Sequence, residues 1–361
     1  MGKDTSDQSI ILEIFDSHVH FWDPVSTPRE VSPLVKLFGF QPSLLHWVAK
    51  KVFPANALDF FASPEYLFKP HLPSDMQFEE QSFFIKGVVH VEAGWKGKGK
   101  FACVDETKWL TNLHFSGGEP ISAIVAHADL SLGTSIREVL VRHKEANKRV
   151  CGIRDMLSWH PNPKVLNGCD RPNLSRDTDW RKGFETLSEF GLHFEVTVYD
   201  HQLPEITELA TQYPDQKIIL CHLGTPVGGA GPYAGLGTTE RDRTYIFKKW
   251  QDEINKLAEC QNVFLKLSGL AMPVVGFGYE KRFETPKIEE IVEGFEPFLK
   301  AGIDAFGNNR CMFGSNFPID KVSIPYDLLV KSYQSIFEGH GIENTDAIFH
   351  TTAESLYGLA L

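Results

Sequence analysis

The chain has 361 residues, 42% of them hydrophobic and 23% charged, an ordinary make-up for a soluble globular protein. Its net charge of −11 excludes a nucleic-acid or anionic-membrane partner, because both select a positive surface. Six cysteines show no Cys-x-x-Cys spacing, which in a chain this long reads as reduced thiols in a cytoplasmic protein. Met1 to Ser9 is polar and carries no apolar signal core. No apolar stretch approaches the ~20 residues that span a bilayer.

Short apolar runs alternate with stretches of helical patterning. The first run, Ile10 to Phe15, leads into Asp16-Ser17-His18-Val19-His20. A proline-punctuated segment over about 23–83 is too long for one crossover helix and reads as an insertion with short helices. Further runs follow at Phe84 to Glu92, Ile121 to Ala128, Val150 to Arg154 and His193 to Tyr199. Lys217 to His222, Val263 to Ser268 and Arg310 to Ser315 complete a set of eight strands. Helices are predicted over Ser135 to Lys148, Trp180 to Phe190, Leu203 to Tyr213, Thr244 to Glu259 and Ile288 to Ala301. Strands alternating with helices imply parallel βαβ units. Eight of them predict an α/β fold, one (β/α)8 TIM barrel over 1–361 with the insertion after the first strand. The loop Gly224 to Tyr245, with six glycines, follows a strand like the insertion does. Both therefore belong to the carboxyl face, where barrel active sites lie, and are expected to line the pocket.

Side chains two apart on a strand point the same way, so Asp16, His18 and His20 are expected to face the barrel mouth together. Two imidazoles so placed bind a divalent metal or polarise a carbonyl. His201 and His222 end two further runs, His90 and Glu92 repeat the two-residue spacing on the second strand, and His127 ends the third. Arg154 closes the fourth, where a guanidinium would grip a carboxylate. Pro318 ends the eighth strand, leaving Asn316 at the mouth and Asp320 in the next loop.

These residues sit in segments that resemble the amidohydrolase-related (amidohydrolase-2) proteins. The likeness rests on the Asp-x-His-x-His opening, Gly152-Ile153-Arg154 and Cys221-His222-Leu223-Gly224-Thr225-Pro226. Lys266-Leu267-Ser268-Gly269-Leu270 and Met312-Phe313-Gly314-Ser315-Asn316-Phe317-Pro318 extend it. Within that group the chain is most similar to the TIM-barrel hydrolases that include sugar lactonases and the pyrone-dicarboxylate lactonase. The resemblance implies that His18 and His20 bind a metal, zinc first, or polarise the carbonyl in metal-free members. His222 falls at the sixth-strand histidine near the reacting carbonyl, and His201 nearest the fifth-strand ligand. The chain departs from the pattern at Asn316, where most members carry an aspartate that ligates metal and acts as base. An amide supplies neither charge nor basicity, so the base falls to Asp320, Glu92 or a histidine.

The resulting expectation is a hydrolase for a small, anionic lactone or related ester or amide, working with or without a divalent metal. His222, Asp320, Arg154 and Asn316 are the catalytic candidates; His90, Glu92, Arg154 and His201 the substrate-binding ones; His18, His20 and His201 the metal ligands. The alternatives are a non-oxidative decarboxylase of the same superfamily and a degenerate barrel that binds a metabolite without turnover.

Overall fold

All eight apolar runs form strands, because β-branched and aromatic side chains suit a pleated surface covered on both faces. They are β1 (Leu12–Val19), β2 (Phe83–Val91), β3 (Ala123–His127), β4 (Val150–Met156), β5 (His193–Thr197), β6 (Ile218–Leu220), β7 (Val263–Leu267) and β8 (Cys311–Phe313). The computed structural model describes residues 11–62, 65–77, 82–342 and 345–358. Its one sheet runs β1 to β8 in chain order, parallel at every step. The seam between β1 and β8 closes just beyond β8: His20 N donates to Phe317 O at 2.8 Å and Asn316 N to His18 O at 2.8 Å. This is a (β/α)8 barrel.

The insertion after β1 carries α1 (Ser32–Phe38), α2 (Pro42–Val52) and α3 (Ala55–Phe61). One helix then follows each of the other strands: α4 (Ala102–Leu110), α5 (Arg137–Ala146), α6 (Thr178–Glu189), α7 (Leu203–Gln212), α8 (Glu240–Ala258), α9 (Ile288–Phe306) and α10 (Tyr326–Gly339). The short α11 (Thr352–Leu356) ends the described chain. The sequence pattern had left α4 and α10 without a prediction. Helix α8 starts before the expected Thr244 because Thr239 caps it, accepting from Asp242 N at 3.1 Å. Among the described residues no helix is long and apolar enough to cross a membrane.

Outward side chains of the strands pack with the helices in the main core, which includes Ile14, Val88, Ile153, Phe194, Leu265 and Phe313. Inward ones build a smaller cluster: Phe15, Val89, Val91, Ile219 and Met312. Tyr357 joins this cluster from beyond α11. It packs against His193, the first residue of β5, at 5.1 Å between ring centroids, and so closes the amino end of the barrel. The carboxyl end is left for the site.

The glycine-rich loop after β6 does something other than line a pocket. Gly228 N donates to Val274 O and Ala230 N to Val275 O, so it lies backbone to backbone on the segment after β7. A Cβ on Gly231 would sit 2.1 Å from Gly276 O. The glycines are spent on that close approach.

Candidate active site

Strand alternation assembles the barrel interior in two polar tiers. The lower tier contains His18, Glu195, Cys221 and Lys266, all buried. Lys266 Nζ donates to Glu195 Oε2 at 2.6 Å and to Ser17 O at 2.6 Å, and lies 3.4 Å from His18 Nδ1. Glu195 Oε1 accepts from Tyr357 Oη at 2.6 Å. Burial alone would raise the Glu195 carboxyl, but Lys266 and His193 hold it down at about 2. Burial pushes the Cys221 thiol up to about 12. His18, Glu195 and Cys221 bring their ligand atoms within 4.8 Å of one another. The Lys266 ammonium already takes the Glu195 carboxylate, so the lower tier is organised around that ion pair.

The upper tier opens into a cavity of about 300 Å³, at the lower edge of small-molecule sites. Its floor is His20, Glu92, Arg154, Thr197, His222 and Asn316. Trp22 lines it from just past β1, the insertion contributes Arg29, Phe60 and Phe61, and the segment after β4 adds Ser158 and Leu166. Only Thr225 comes from the glycine-rich loop, which corrects its expected role. The segment after β4 was not foreseen as a wall.

His20 Nδ1 lies 2.8 Å from Val91 O and 3.1 Å from Glu92 O. Both partners are acceptors, so Nδ1 carries the proton and Nε2 the lone pair. His18 presents the opposite tautomer. The Lys266 ammonium is a donor, so His18 Nδ1 accepts and its Nε2–H faces His20 Nε2 at 3.2 Å. Burial and then Arg154 lower His20 to about 3, and burial with Lys266 takes His18 well below its ordinary value. The pair is neutral, and of the two rings His20 is the one that lines the cavity.

His222 lies two residues past β6, opening a turn, with its ring 4.5 Å from that of His18 and Nδ1 2.9 Å from Ser268 Oγ. Burial and Arg154 keep it well below its ordinary pKa. Its backbone is left-handed at φ 55°, as is that of Asn316 at φ 57°, a conformation costing non-glycine residues about 1–3 kcal/mol. Gly269 makes room for the His222 ring, which a Cβ there would meet at 2.6 Å.

Arg154 and Glu92 are partners before any ligand arrives. Arg154 Nε and Nη2 donate to Glu92 Oε1 at 2.9 and 2.7 Å, and Nη2 also reaches Glu92 O at 2.8 Å. Gly94 N donates to Glu92 Oε2 at 2.9 Å. Burial opposes the Glu92 charge, but Arg154 holds its carboxyl below the usual carboxylate range. With both oxygens engaged, Glu92 orients Arg154 and is not placed as a base. Arg154 Nη1 takes no part in that pairing.

Several expected site residues lie elsewhere. Val89 and Val91 point inward, so alternation turns His90 outward; its Nδ1 accepts from Phe21 N at 3.1 Å and its Nε2 lies 3.6 Å from Glu106 on α4. His201 packs edge-on against His160 at 5.0 Å and is absent from the cavity lining. It sits inside the turn Asp200–Gln202 beyond β5 rather than ending the strand. His127 Nδ1 sits 3.3 Å from Arg154 O. Asp16 does not share the histidine face, because the β1–β2 register shifts between Asp16 and Val19. Its carboxylate accepts from Ser315 N at 2.9 Å and Tyr326 Oη at 3.1 Å, bracing the seam.

Asp320 stands behind Asn316. Its Oδ1 accepts from Asn316 Nδ2 at 2.7 Å and its Oδ2 from Ala271 N at 3.2 Å. Burial raises its carboxyl to about 8, so it is largely protonated at neutral pH. Below the unfolded value of about 3.9 both states hold the proton; above it only the folded state does, and stability drains away up to pH 8. Histidines such as His71 and His201, each lowered to about 4 by burial, gain stability up to about pH 6.5 and mask this trend. Asp320→Asn isolates it. Between pH 6 and 8 the wild type should lose about 2 kcal/mol relative to that variant, measured by urea unfolding. Parallel pH curves would show that Asp320 is ionised throughout.

A family model described as amidohydrolase matches residues 15–359. The chain belongs to the amidohydrolase family. An uncharacterised protein of Sinorhizobium fredii, y4mH, is 28% identical over 96% of this chain and 98% of its own length. An L-fucono-1,5-lactonase of Burkholderia multivorans is 27% identical over 51% of this chain and 57% of its own. Among solved structures, a Burkholderia multivorans amidohydrolase with bound zinc has a TM-score of 0.66 at 19% identity, covering 96% of this chain and 99% of that one. A putative 2-pyrone-4,6-dicarboxylic acid hydrolase from Pseudomonas putida has a TM-score of 0.55 at 18% identity, covering 97% and 99%. These structures share the fold.

Whether this amidohydrolase's histidine pair suits a metal can be tested on its own hydrogen bonds. Two nitrogens on one tetrahedral zinc ion lie about 3.4 Å apart, and the two Nε2 atoms at 3.2 Å match. His20 also shows the Nδ1–H to carbonyl contact of a ligating imidazole. His18 fails the same test: its Nδ1 faces an ammonium where a ligating ring needs an acceptor. Asn316 brings no charge. The donor set does not fit a tightly held divalent ion.

Proposed function

We propose that this amidohydrolase hydrolyses a small lactone or a closely related ester or amide, without a resident metal. The observation that carries the reading is the opposition of groups across the cavity floor. His20 and His222 offer neutral imidazoles, and the cationic Arg154 stands with them. The lactonase name of a relative 27% identical supports the same class.

His222 acts as the general base. Its Nδ1 lies 2.9 Å from Ser268 Oγ, and with the proton on Nδ1 and the hydroxyl accepting, Nε2 takes a proton from water. The His20 Nε2 lone pair holds the water's other hydrogen, in competition with His18. As the water oxygen bonds to the carbonyl carbon, the carbonyl oxygen gains the negative charge. Arg154 Nη1 and the second N–H of Asn316 Nδ2 meet that charge. Collapse expels the ring oxygen, which recovers the proton from His222. Glu92 keeps Arg154 in place and Asp320 keeps Asn316 in place.

The deciding experiment is a lactone-hydrolysis screen on the purified protein with and without chelator, run beside metal analysis. Hydrolysis that survives complete chelation is the expected result. Activity abolished by chelator and restored by zinc would overturn the metal-free route. Release of carbon dioxide without water uptake would overturn hydrolysis.

A further inference from the structure

The cavity holds a second guanidinium, and its surroundings differ from those of Arg154. Arg29 comes from the insertion and lines the cavity beside Trp22, Phe60 and Phe61. Its guanidinium lies over the Trp22 ring at 4.2 Å, and its Nη1 donates to Ala93 O. Lys96 N donates to Pro28 O at 2.6 Å and Arg29 N to Ser32 Oγ at 2.9 Å, so the backbone that carries the side chain is tied down. Arg29 Nε is buried and has no hydrogen-bond partner among the described residues. Glu92 and Glu106 attract the group at longer range, yet no described carboxylate comes within 4 Å, the distance at which the other ion pairs of the chain are found. Burial lowers Arg29 only to about 10, so it is a cation at neutral pH.

Arg154 already has its counter-ion in Glu92, and Arg29 has none. Holding a partly buried, fixed and unpaired cation is costly unless something completes it. A guanidinium presents parallel N–H groups that match a carboxylate two to one, and its stacking on Trp22 removes the freedom such a bond would otherwise cost. We propose that Arg29 is the anion receptor of this cavity, and that the substrate carries a carboxylate set away from its reacting carbonyl. The inference rests on the lactone-hydrolase reading for the rest of the substrate. The floor groups would take the carbonyl, Arg29 the carboxylate, and Phe60 and Phe61 the carbon skeleton between.

The test pairs Arg29→Met, which keeps the stem on Trp22, with Arg29→Lys, which keeps the charge and loses the paired N–H geometry. Glucarate, a dicarboxylate that needs no turnover to bind, is titrated calorimetrically against the neutral polyol galactitol. The wild type should prefer glucarate, Arg29→Met should weaken glucarate at least 30-fold, and Arg29→Lys should fall between. The ligand-free Arg29→Met protein should melt no lower than the wild type, since the charge it loses was unpaired. Equal glucarate affinity in wild type and Arg29→Met would overturn the proposal. So would a marked loss of melting temperature in ligand-free Arg29→Met, which would give the guanidinium a structural role. Kinetics with glucaro-1,4-lactone and neutral galactono-1,4-lactone separate the two readings. Glucarate bound through Arg29 with neither lactone hydrolysed sinks the hydrolase and keeps the receptor. Both lactones hydrolysed alike, with Arg29→Met affecting neither, does the reverse.

Discussion

Replacing His222 by asparagine is expected to lower kcat for lactone opening by about 10³-fold and to leave KM within a few-fold, the range in which a positioned base contributes. Asparagine tolerates a left-handed backbone better than most residues, so the variant keeps the turn at φ 55° while losing the basic nitrogen. The comparison belongs with His201→Gln, which alters a ring beside His160 and should leave kcat nearly unchanged. The pH profile is an independent check. Burial and Arg154 take His222 well below its ordinary value, and His20 falls to about 3. Both imidazoles are held below their ordinary value, so kcat/KM should show no step where a free imidazole would titrate. An inflection near pH 6.5 would show an imidazole in ordinary solvent contact. A His222→Asn variant within ten-fold of wild type would remove the base from the mechanism.

The left-handed backbone at both His222 and Asn316 gives this assignment a physical footing. Such conformations persist where surrounding structure over-determines them. Gly269 leaves room for one ring, and Asp320 holds the amide of the other residue at 2.7 Å. The first joins segments that follow different strands and is not visible in the chain order; the second spans four residues of one segment, and the order alone does not show that the Asn316 amide turns back to Asp320.

The barrel was legible because its strands are apolar runs and its helices alternate with them. What failed was direction. The two-residue rule placed Asp16 with His18, but a register irregularity after Asp16 turns its carboxylate to Tyr326 on α10. The same rule applied to β2 would have turned His90 outward, because its neighbours Val89 and Val91 are the apolar, inward pair. Lys266 and Glu195 were legible and missed. Each is a single acid or base flanked by apolar residues in its strand, Leu-Lys-Leu and Phe-Glu-Val, and a charge that cannot reach water needs a partner. Arg29 was not legible, because a loop residue's direction depends on what anchors the loop. The glycines after β6 suggested a binding loop when they serve a backbone contact.

That buried ion pair supports the second large prediction. Lys266→Met should destabilise the protein by about 3–5 kcal/mol, because it leaves the Glu195 carboxyl in the barrel centre without its ammonium, with Tyr357 and His193 as remaining partners. Removing both charges in Glu195→Gln/Lys266→Met should recover most of the loss, since replacing a whole buried pair is often close to neutral. Urea unfolding measures both. The double variant also lifts the constraint on His18. With no ammonium opposite Nδ1, that ring can carry its proton on Nδ1 and turn the Nε2 lone pair towards the position 3.2 Å from His20 Nε2. Zinc affinity, read by calorimetry, should then rise at least ten-fold over wild type. A double variant that is stable and binds zinc no better would show that Lys266 does not set the His18 tautomer, and that the missing carboxylate at Asn316 alone turns the metal away.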